Sequence, residues 1–223
     1  IGVHHLEGHI FSNLVEDQVE TPFLTLLVSG GHTELVLVRE LGSYQLVGRT
    51  RDDAAGEAFD KVAKLLDLLP SAGSVMGGRI LSELAENGDP QAIDFPRGMA
   101  GEKDFSFSGL KTSVLNYVRG LDPQERERRL PDIAASFQEA VVDALVDKTV
   151  LALNQGGIKA VCLAGGVAAN QRLRHRLRAE IERRGLPLYC PSPILCTDNA
   201  VMIGAVGAYY LNRGVRDGFD LDA

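Results

Sequence analysis

The residues best suited to chemistry lie near the start of the chain, in the run His4-His5-Leu6-Glu7-Gly8-His9. His5 and His9 are four residues apart, so on a helix their imidazoles share one face, one turn apart. Imidazole nitrogen is a common ligand of zinc and of other divalent transition metals. His4 has Gly8 at the matching position and therefore no partner. The spacing leaves two interpretations open, a metal pair that needs a third ligand from elsewhere or a solvated helix start.

The same residues invite comparison with the metalloprotease motif H-E-x-x-H. In that motif the Glu follows the first His directly and acts as general base near the metal. Here Glu7 lies midway between His5 and His9, about 200° around the helix from each. Glu7 therefore points to the opposite face, which disfavours a protease.

Two glycine-containing turns could approach a ligand closely. Gly30 and Gly31 follow the apolar run 23–28, and paired glycines allow backbone N–H groups to turn towards an anion. A plain hairpin turn is the alternative. The segment 164–170 follows a predicted strand and opens a helix, which could face a nucleotide or phosphate, although it lacks the G-x-G-x-x-G fingerprint.

Three further features have both an ordinary and a functional interpretation. Asp60 and Lys64 are four residues apart on a predicted helix, a spacing typical of surface ion pairs. Asp198 begins the last predicted helix, where a carboxylate is favourable, but it could also reach a shared site. The predicted helix 168–184 carries six arginines, either a solvated face or a contact for a polyanion.

Composition narrows the class of protein. The 223 residues are 45% hydrophobic and 24% charged, which is ordinary for a globular domain. A net charge of −7 excludes a chain that coats nucleic acid as a whole. Three cysteines without a CxxC pair favour reduced core residues in a cytoplasmic protein. No apolar run reaches the length of a membrane span, so no membrane contact is expected.

The hydrophobic pattern predicts an α/β fold of order β-β-β-α-β-α-β-α, with an antiparallel meander first and parallel strands afterwards. Predicted strands are 23–28, 34–39, 44–48, 159–164 and 187–190. Predicted helices are 5–17, 50–69 (opened by a Thr50-x-x-Asp53 start pattern), 80–86, 106–119, 133–155, 168–184 and 198–211. Predicted loops are 70–78 and 88–104, with an exposed charged turn at 122–129.

Taken together, these segments resemble one family, the tRNA threonylcarbamoyltransferases known as TsaD. The matching segments recur in family order over nearly the whole chain: His5–His9, Leu27–Thr33, Asp52–Lys61, Asp104–Thr112, Gly165–Asn170 and Cys196–Asn199. The resemblance implies an actin-like ATPase (RNase-H-like) fold, mainly its second lobe. Residues 1–20 would be a metal-binding helix left from the first lobe, and residues 21–223 the second lobe with closing helix 198–211. The chain begins without Met, and the first third of the family chain is expected to be missing.

The resemblance also implies a ligand set. His5, His9 and Asp198 would hold one divalent metal, iron or zinc. An adenine nucleotide, threonylcarbamoyl-AMP or ATP, would contact the following residues: Leu27, Val28, Ser29, Gly30, Gly31, Asp60, Gly78 and Asn170. The family's Tyr-Pro-Gly-Gly-Pro loop is replaced here by residues 69–79, so Gly73 remains an alternative to Gly78. No catalytic base is named.

The implied reaction moves a threonylcarbamoyl group from threonylcarbamoyl-AMP to N6 of the adenosine 3′ of the tRNA anticodon, in tRNAs reading codons that begin with adenine. The implied partners are tRNA, a paralogous subunit and a small ATPase, in the cytoplasm. The alternatives are a non-catalytic scaffold subunit and a related O-carbamoyltransferase. Whether the truncated chain is active is left open.

Overall fold

The chain is built around a five-stranded mixed sheet with strand order β3-β2-β1-β4-β5. The computed structural model describes residues 1–69 and 77–218. The strands are β1 Phe23–Val28, β2 Thr33–Glu40, β3 Ser43–Arg49, β4 Ala160–Ala164 and β5 Leu188–Tyr189. β1, β2 and β3 form the predicted antiparallel meander, whereas β1–β4 and β4–β5 are parallel. The predicted α/β strand order is therefore confirmed.

The two central strands, β1 and β4, are covered on both faces and are apolar except for Thr25. Every residue of β1 and of β4 is buried, as expected for strands between two helical layers. Leu24 and Leu26 belong to the larger hydrophobic core, whereas Phe23 and Leu27 face a smaller core that includes Ile10. Ile10 belongs to the first helix, which therefore covers the face of the sheet that carries Phe23 and Leu27.

Eight α-helices lie in the described ranges: α1 His5–Glu16, α2 Ala55–Leu65, α3 Gly77–Ala85, α4 Ser108–Arg119, α5 Pro123–Leu153, α6 Gln171–Glu182, α7 Pro193–Cys196 and α8 Ala200–Asn212. A short 3-10 helix, Gly166–Ala169, links β4 to α6. In these ranges no helix combines the length and the apolar character needed to cross a bilayer. The helix α7 was not predicted.

Four helices begin later than predicted: α4 begins at Ser108 rather than at 106, and at the other three the free backbone N–H groups are satisfied by other residues. The Thr50 start pattern is wrong: α2 begins at Ala55, whose N–H donates to Thr33 Oγ1 at 2.8 Å. The helix predicted at 168–184 begins at 171, because the Asn170 side chain accepts from Leu173 N at 2.9 Å. The closing helix begins at Ala200 rather than at 198, with Asn199 as its N-cap.

Two segments predicted to be loops or turns contain helix. Residues 122–129 are the first turns of α5 rather than an exposed turn, because Asp122 Oδ1 accepts from Glu125 N at 2.8 Å and caps the helix. The predicted loop 70–78 ends in helix, since Gly77 and Gly78 form the start of α3. The loop 88–104 contains no helix or strand, but it buries Phe95 and is therefore not only a surface segment.

Candidate metal centre and glycine turn

Three side chains from opposite ends of the sequence meet at one point. Asp198 Oδ1 lies 3.4 Å from His5 Nε2 and 3.2 Å from His9 Nε2. The potential ligand atoms of the three residues all lie within 4.8 Å of one another. Bonds of about 2.1 Å in a tetrahedral arrangement separate neighbouring ligand atoms by roughly 3.4 Å. The spacing therefore fits two imidazoles and a carboxylate around one cation.

The burial of the three side chains leaves one side of this group open. The side chain of His9 is 2% exposed, whereas those of His5 and Asp198 are 50% and 74% exposed. Burial and the neighbouring His5 imidazole lower the pKa of His9, although Asp198 opposes the shift. A lowered pKa favours the neutral imidazole, which is the form that binds metals.

Close packing of α1 against α8 brings Asp198 to the histidines. A Cβ atom at Gly8 would lie 3.1 Å from Ile203 Cδ1 and 3.2 Å from Met202 Cγ, so these two side chains of α8 pack closely over the glycine and would have to shift slightly to admit a larger residue. Asn199 caps α8 by accepting from Met202 N at 2.9 Å. Asp198 precedes that cap, and its carboxylate is therefore free to face the imidazoles.

Glu7 fixes the rotation of α1 from the opposite side. It is 7% exposed and accepts hydrogen bonds from the hydroxyls of Tyr44 in β3 and Tyr210 in α8, the latter at 2.8 Å. The predicted orientation of Glu7 away from His5 and His9 is thus confirmed. Its carboxylate is committed to two phenols, which removes the general base that a protease interpretation needs.

The glycine turn follows β1 directly. Ser29 N donates to His32 O at 2.8 Å, and His32 N donates to Ser29 Oγ at 3.1 Å. Gly30 and Gly31 are exposed, and a Cβ at either would meet no atom within 4 Å. Leu27 and Val28 are fully buried, so only their backbone could contact a ligand. The turn borders a cleft of about 350 Å³ lined by Gly31–Glu34 and Arg49–Arg51.

Two glycines hold neighbouring elements against this turn. A Cβ at Gly56, in the first turn of α2, would lie 2.6 Å from Ser29 O. Gly165, at the end of β4, has φ +90 and would place a Cβ 2.4 Å from Val28 O. The starts of two helical segments therefore converge on the end of β1.

The remaining predicted contact residues lie on α2, α3 and the start of α6. Asp60 makes no ion pair with Lys64 among the described residues; its Oδ1 accepts from Gly78 N at 2.9 Å. The amide of Asn170 donates to Ser82 Oγ at 2.9 Å and to Gln138 Oε1 at 2.7 Å. Asp60 and Gly78 are thus adjacent, whereas the amide of Asn170 bridges α3, α5 and α6. Gly73 lies outside the described residues.

The arginines of α6 mostly bind within the chain. Arg172 and Arg176 pair with Glu139, which is 7% exposed, and Arg176 also pairs with Asp143. Arg174 donates to Pro191 O at 2.6 Å. Carboxylates of α5 therefore pair with Arg172 and Arg176, whereas Arg174 donates to a neutral carbonyl oxygen and keeps its charge.

Asp52 has a structural role that its sequence position did not reveal. Its carboxylate accepts from Ser106 Oγ at 2.6 Å, Phe107 N at 2.8 Å and Ser108 Oγ at 2.7 Å. Partial burial alone would raise the pKa of Asp52, but these hydrogen bonds hold it below its ordinary value. The partners are more than 50 residues away, so no local pattern could have identified them.

Comparison with known proteins identifies the family of this chain. The family model TsaD, tRNA N6-adenosine threonylcarbamoyltransferase, matches residues 1–205. Proteins of that name from Geotalea uraniireducens and Symbiobacterium thermophilum are 51% and 52% identical over 224 and 225 positions. Each alignment covers 100% of this chain and 64% of the relative, so the chain spans less than two thirds of their length.

Solved structures support the fold. Full-length HypF in a phosphate- and nucleotide-bound form has a TM-score of 0.74 at 17% identity, covering 95% of this chain and 36% of that one. HypF from T. kodakarensis has a TM-score of 0.69 at 18% identity, covering 94% and 36%. The predicted α/β, actin-like ATPase fold class is confirmed. Because the family model matches residues 1–205, which are most of this chain, the chain belongs to the tRNA N6-adenosine threonylcarbamoyltransferase (TsaD) family.

Proposed function

We propose that His5, His9 and Asp198 hold one divalent metal, iron or zinc, as the centre of a threonylcarbamoyl-transfer site. The single observation that carries the proposal is the approach of Asp198 Oδ1 to within 3.4 Å of both imidazoles. When bound, such an ion acts as a Lewis acid towards ligand oxygens at its open positions. In this proposal residues 1–20 are the metal-binding remnant of the first lobe, and residues 21–223 form the second.

The adenine nucleotide is assigned to the glycine turn. The exposed backbone of Gly30 and Gly31 can present N–H groups to phosphate or carbonyl oxygens. Asp60 and Gly78 would contact the nucleotide from α2 and α3, and Asn170 would act from the start of α6. The nucleotide-bound form of HypF has the same fold and therefore supports a nucleotide in this fold class.

The proposed reaction is acyl transfer from threonylcarbamoyl-AMP to tRNA. The N6 amine of the adenosine 3′ of the anticodon attacks the carbamoyl carbonyl carbon. The bond between that carbon and the phosphate oxygen breaks, AMP departs, and the amine loses a proton. Because the substrate is an activated mixed anhydride, the chain needs to position the amine and stabilise developing negative charge rather than supply a nucleophile.

The reaction would take place in the cytoplasm, where a paralogous subunit and a small ATPase would assist. The net charge of −7 favours such help, because phosphate contacts supply much of the affinity for nucleic acid.

The test compares His5→Ala and Asp198→Ala with the control His4→Ala in the full-length protein. His4 is exposed and makes no side-chain capping bond, so its removal should leave both metal content and activity unchanged. The first two variants should lose bound metal by elemental analysis, and they should lose the modified adenosine in digested tRNA by mass spectrometry. Activity that survives in a metal-stripped wild type would refute the metal role.

The same samples separate the alternatives. A scaffold subunit would contain no stoichiometric metal and would make no modified adenosine. An O-carbamoyltransferase would contain metal but would leave tRNA unmodified.

A further inference from the structure

A buried polar cluster lies beneath α1, on the side that faces the sheet. His9 and Asn13 are 1% and 0% exposed. Within the described ranges, four buried side-chain atoms have no hydrogen-bond partner, and His9 Nδ1, Asn13 Oδ1 and Thr25 Oγ1 are three of them. Unpaired buried polar atoms are rare and costly, so these three atoms require an explanation.

His9 and Asn13 are placed to contact each other. They are four residues apart on α1, so their side chains share one face, and helical side chains lean towards the N-terminus. The side chain of Asn13 therefore extends towards the imidazole of His9. Its Nδ2 donates to Leu163 O in β4 at 3.1 Å, which fixes the amide orientation because a flipped amide would set two carbonyl oxygens against each other. Oδ1 remains as a buried acceptor.

We infer that Asn13 is a positioning residue for His9, and this inference rests on the proposed metal centre. His9 Nε2 faces Asp198 and the ligand position, so a neutral imidazole that binds a metal through Nε2 carries its proton on Nδ1. That buried N–H needs an acceptor, and Asn13 Oδ1, one helical turn away and itself without a partner, is the atom that we assign to this role. The hydrogen bond selects the tautomer and fixes the ring plane, as partners of metal-bound histidines commonly do.

Thr25 is the competing partner. Thr25 pairs with Cys162 in the parallel register, and Cys162 belongs to the small core beneath α1. The Thr25 side chain therefore lies on the face of the sheet that α1 covers, next in register to Leu163, whose carbonyl oxygen binds Asn13. An amide oxygen one helical turn away on the same element is the better placed acceptor for a histidine. Thr25 therefore provides the matched control.

The experiment measures Co²⁺ binding to the full-length protein, by competition with a chromophoric chelator and by the visible absorption of the bound ion. Asn13→Leu keeps the branched shape but removes both the acceptor for His9 and the donor to Leu163 O, and it should weaken Co²⁺ binding about 10- to 100-fold and alter the absorption spectrum. Thr25→Val should bind Co²⁺ as wild type does.

The outcomes distinguish failure of the proposed metal centre from failure of the role assigned to Asn13. A wild type that binds no Co²⁺ overturns the metal centre and with it this inference. If the wild type binds Co²⁺, two results overturn the role of Asn13 alone. One is a folded Asn13→Leu that binds Co²⁺ as tightly as wild type, and the other is a larger loss of Co²⁺ binding in Thr25→Val than in Asn13→Leu.

If Asn13→Leu does not fold, nitrogen-15 spectra of zinc-loaded wild type decide instead. A His9 Nδ1 proton protected from exchange supports the hydrogen bond, and one that exchanges freely overturns it.

Discussion

Replacing Tyr210 by Phe tests how firmly Glu7 joins α1 to α8. The hydroxyl of Tyr210 donates to Glu7 Oε1 at 2.8 Å, and the variant removes that donor alone, since Tyr44 still donates to the same carboxylate. A hydrogen bond to a charged group contributes about 1.5–3 kcal/mol. Burial, with the hydrogen bond to Glu7, raises the pKa of Tyr210 to about 12, so the hydroxyl stays protonated and donates at neutral pH. We therefore expect a loss of about 2 kcal/mol in the free energy of unfolding.

The sign of the pH dependence follows from the raised pKa. The folded state holds the Tyr210 proton more tightly than the unfolded state, whose pKa is near 10.0. The contribution is fully present below pH 10.0 and is lost as pH rises through about 12. Part of this loss should disappear in Tyr210→Phe, because the remaining alkaline loss would come from Tyr44, whose pKa is also raised.

The assay is denaturant unfolding followed at neutral pH and at several alkaline values, with Tyr209→Phe as the matched control. Tyr209 is the adjacent residue, and its hydroxyl donates to the neutral carbonyl oxygen of Leu41 at 2.8 Å. That variant should cost only about 1 kcal/mol and keep the alkaline loss of wild type. The reasoning is refuted if Tyr210→Phe costs no more than Tyr209→Phe, or if its alkaline loss equals that of wild type.

Three further outcomes are expected. Gly56→Ala sets a Cβ 2.6 Å from Ser29 O. It should lower the free energy of unfolding by about 1–3 kcal/mol and weaken nucleotide binding measured by calorimetry. In the control Gly109→Ala the added Cβ meets no atom within 4 Å, so neither property should be weakened. Asp52→Ala should lower the free energy of unfolding at neutral pH by about 2 kcal/mol. Because the pKa of Asp52 is lowered in the folded state, the wild type should lose this contribution as pH falls below 3.8. Equal acid sensitivity of the wild type and the variant would contradict this role of Asp52. Burial raises the pKa of the Cys162 thiol, so a disulfide reagent should modify that residue, located by peptide mapping, only after unfolding; rapid modification of the native protein would show that β4 opens.

The sequence determined the elements whose signals are local. The four-residue spacing of His5 and His9 predicted their shared helix face, and the same helical geometry turned Glu7 away from them. Continuous apolar runs predicted the central strands β1 and β4. These predictions depend only on the period of a helix or strand, which neighbouring residues specify.

Tertiary structure decided which of these residues meet. Asp198 is 189 positions from His9 in the sequence, and it reaches the imidazoles because α8 packs against α1, closely at Gly8. Its position just before the α8 cap, rather than in the first turn of the helix, leaves its carboxylate free. The start of α2 likewise depends on Thr33, a residue from a neighbouring strand. Packing between elements that are distant in the sequence sets these contacts. Hydrophobic periodicity shows which face of an element is buried, but not which other element packs against that face or which buried polar atoms come within hydrogen-bonding distance.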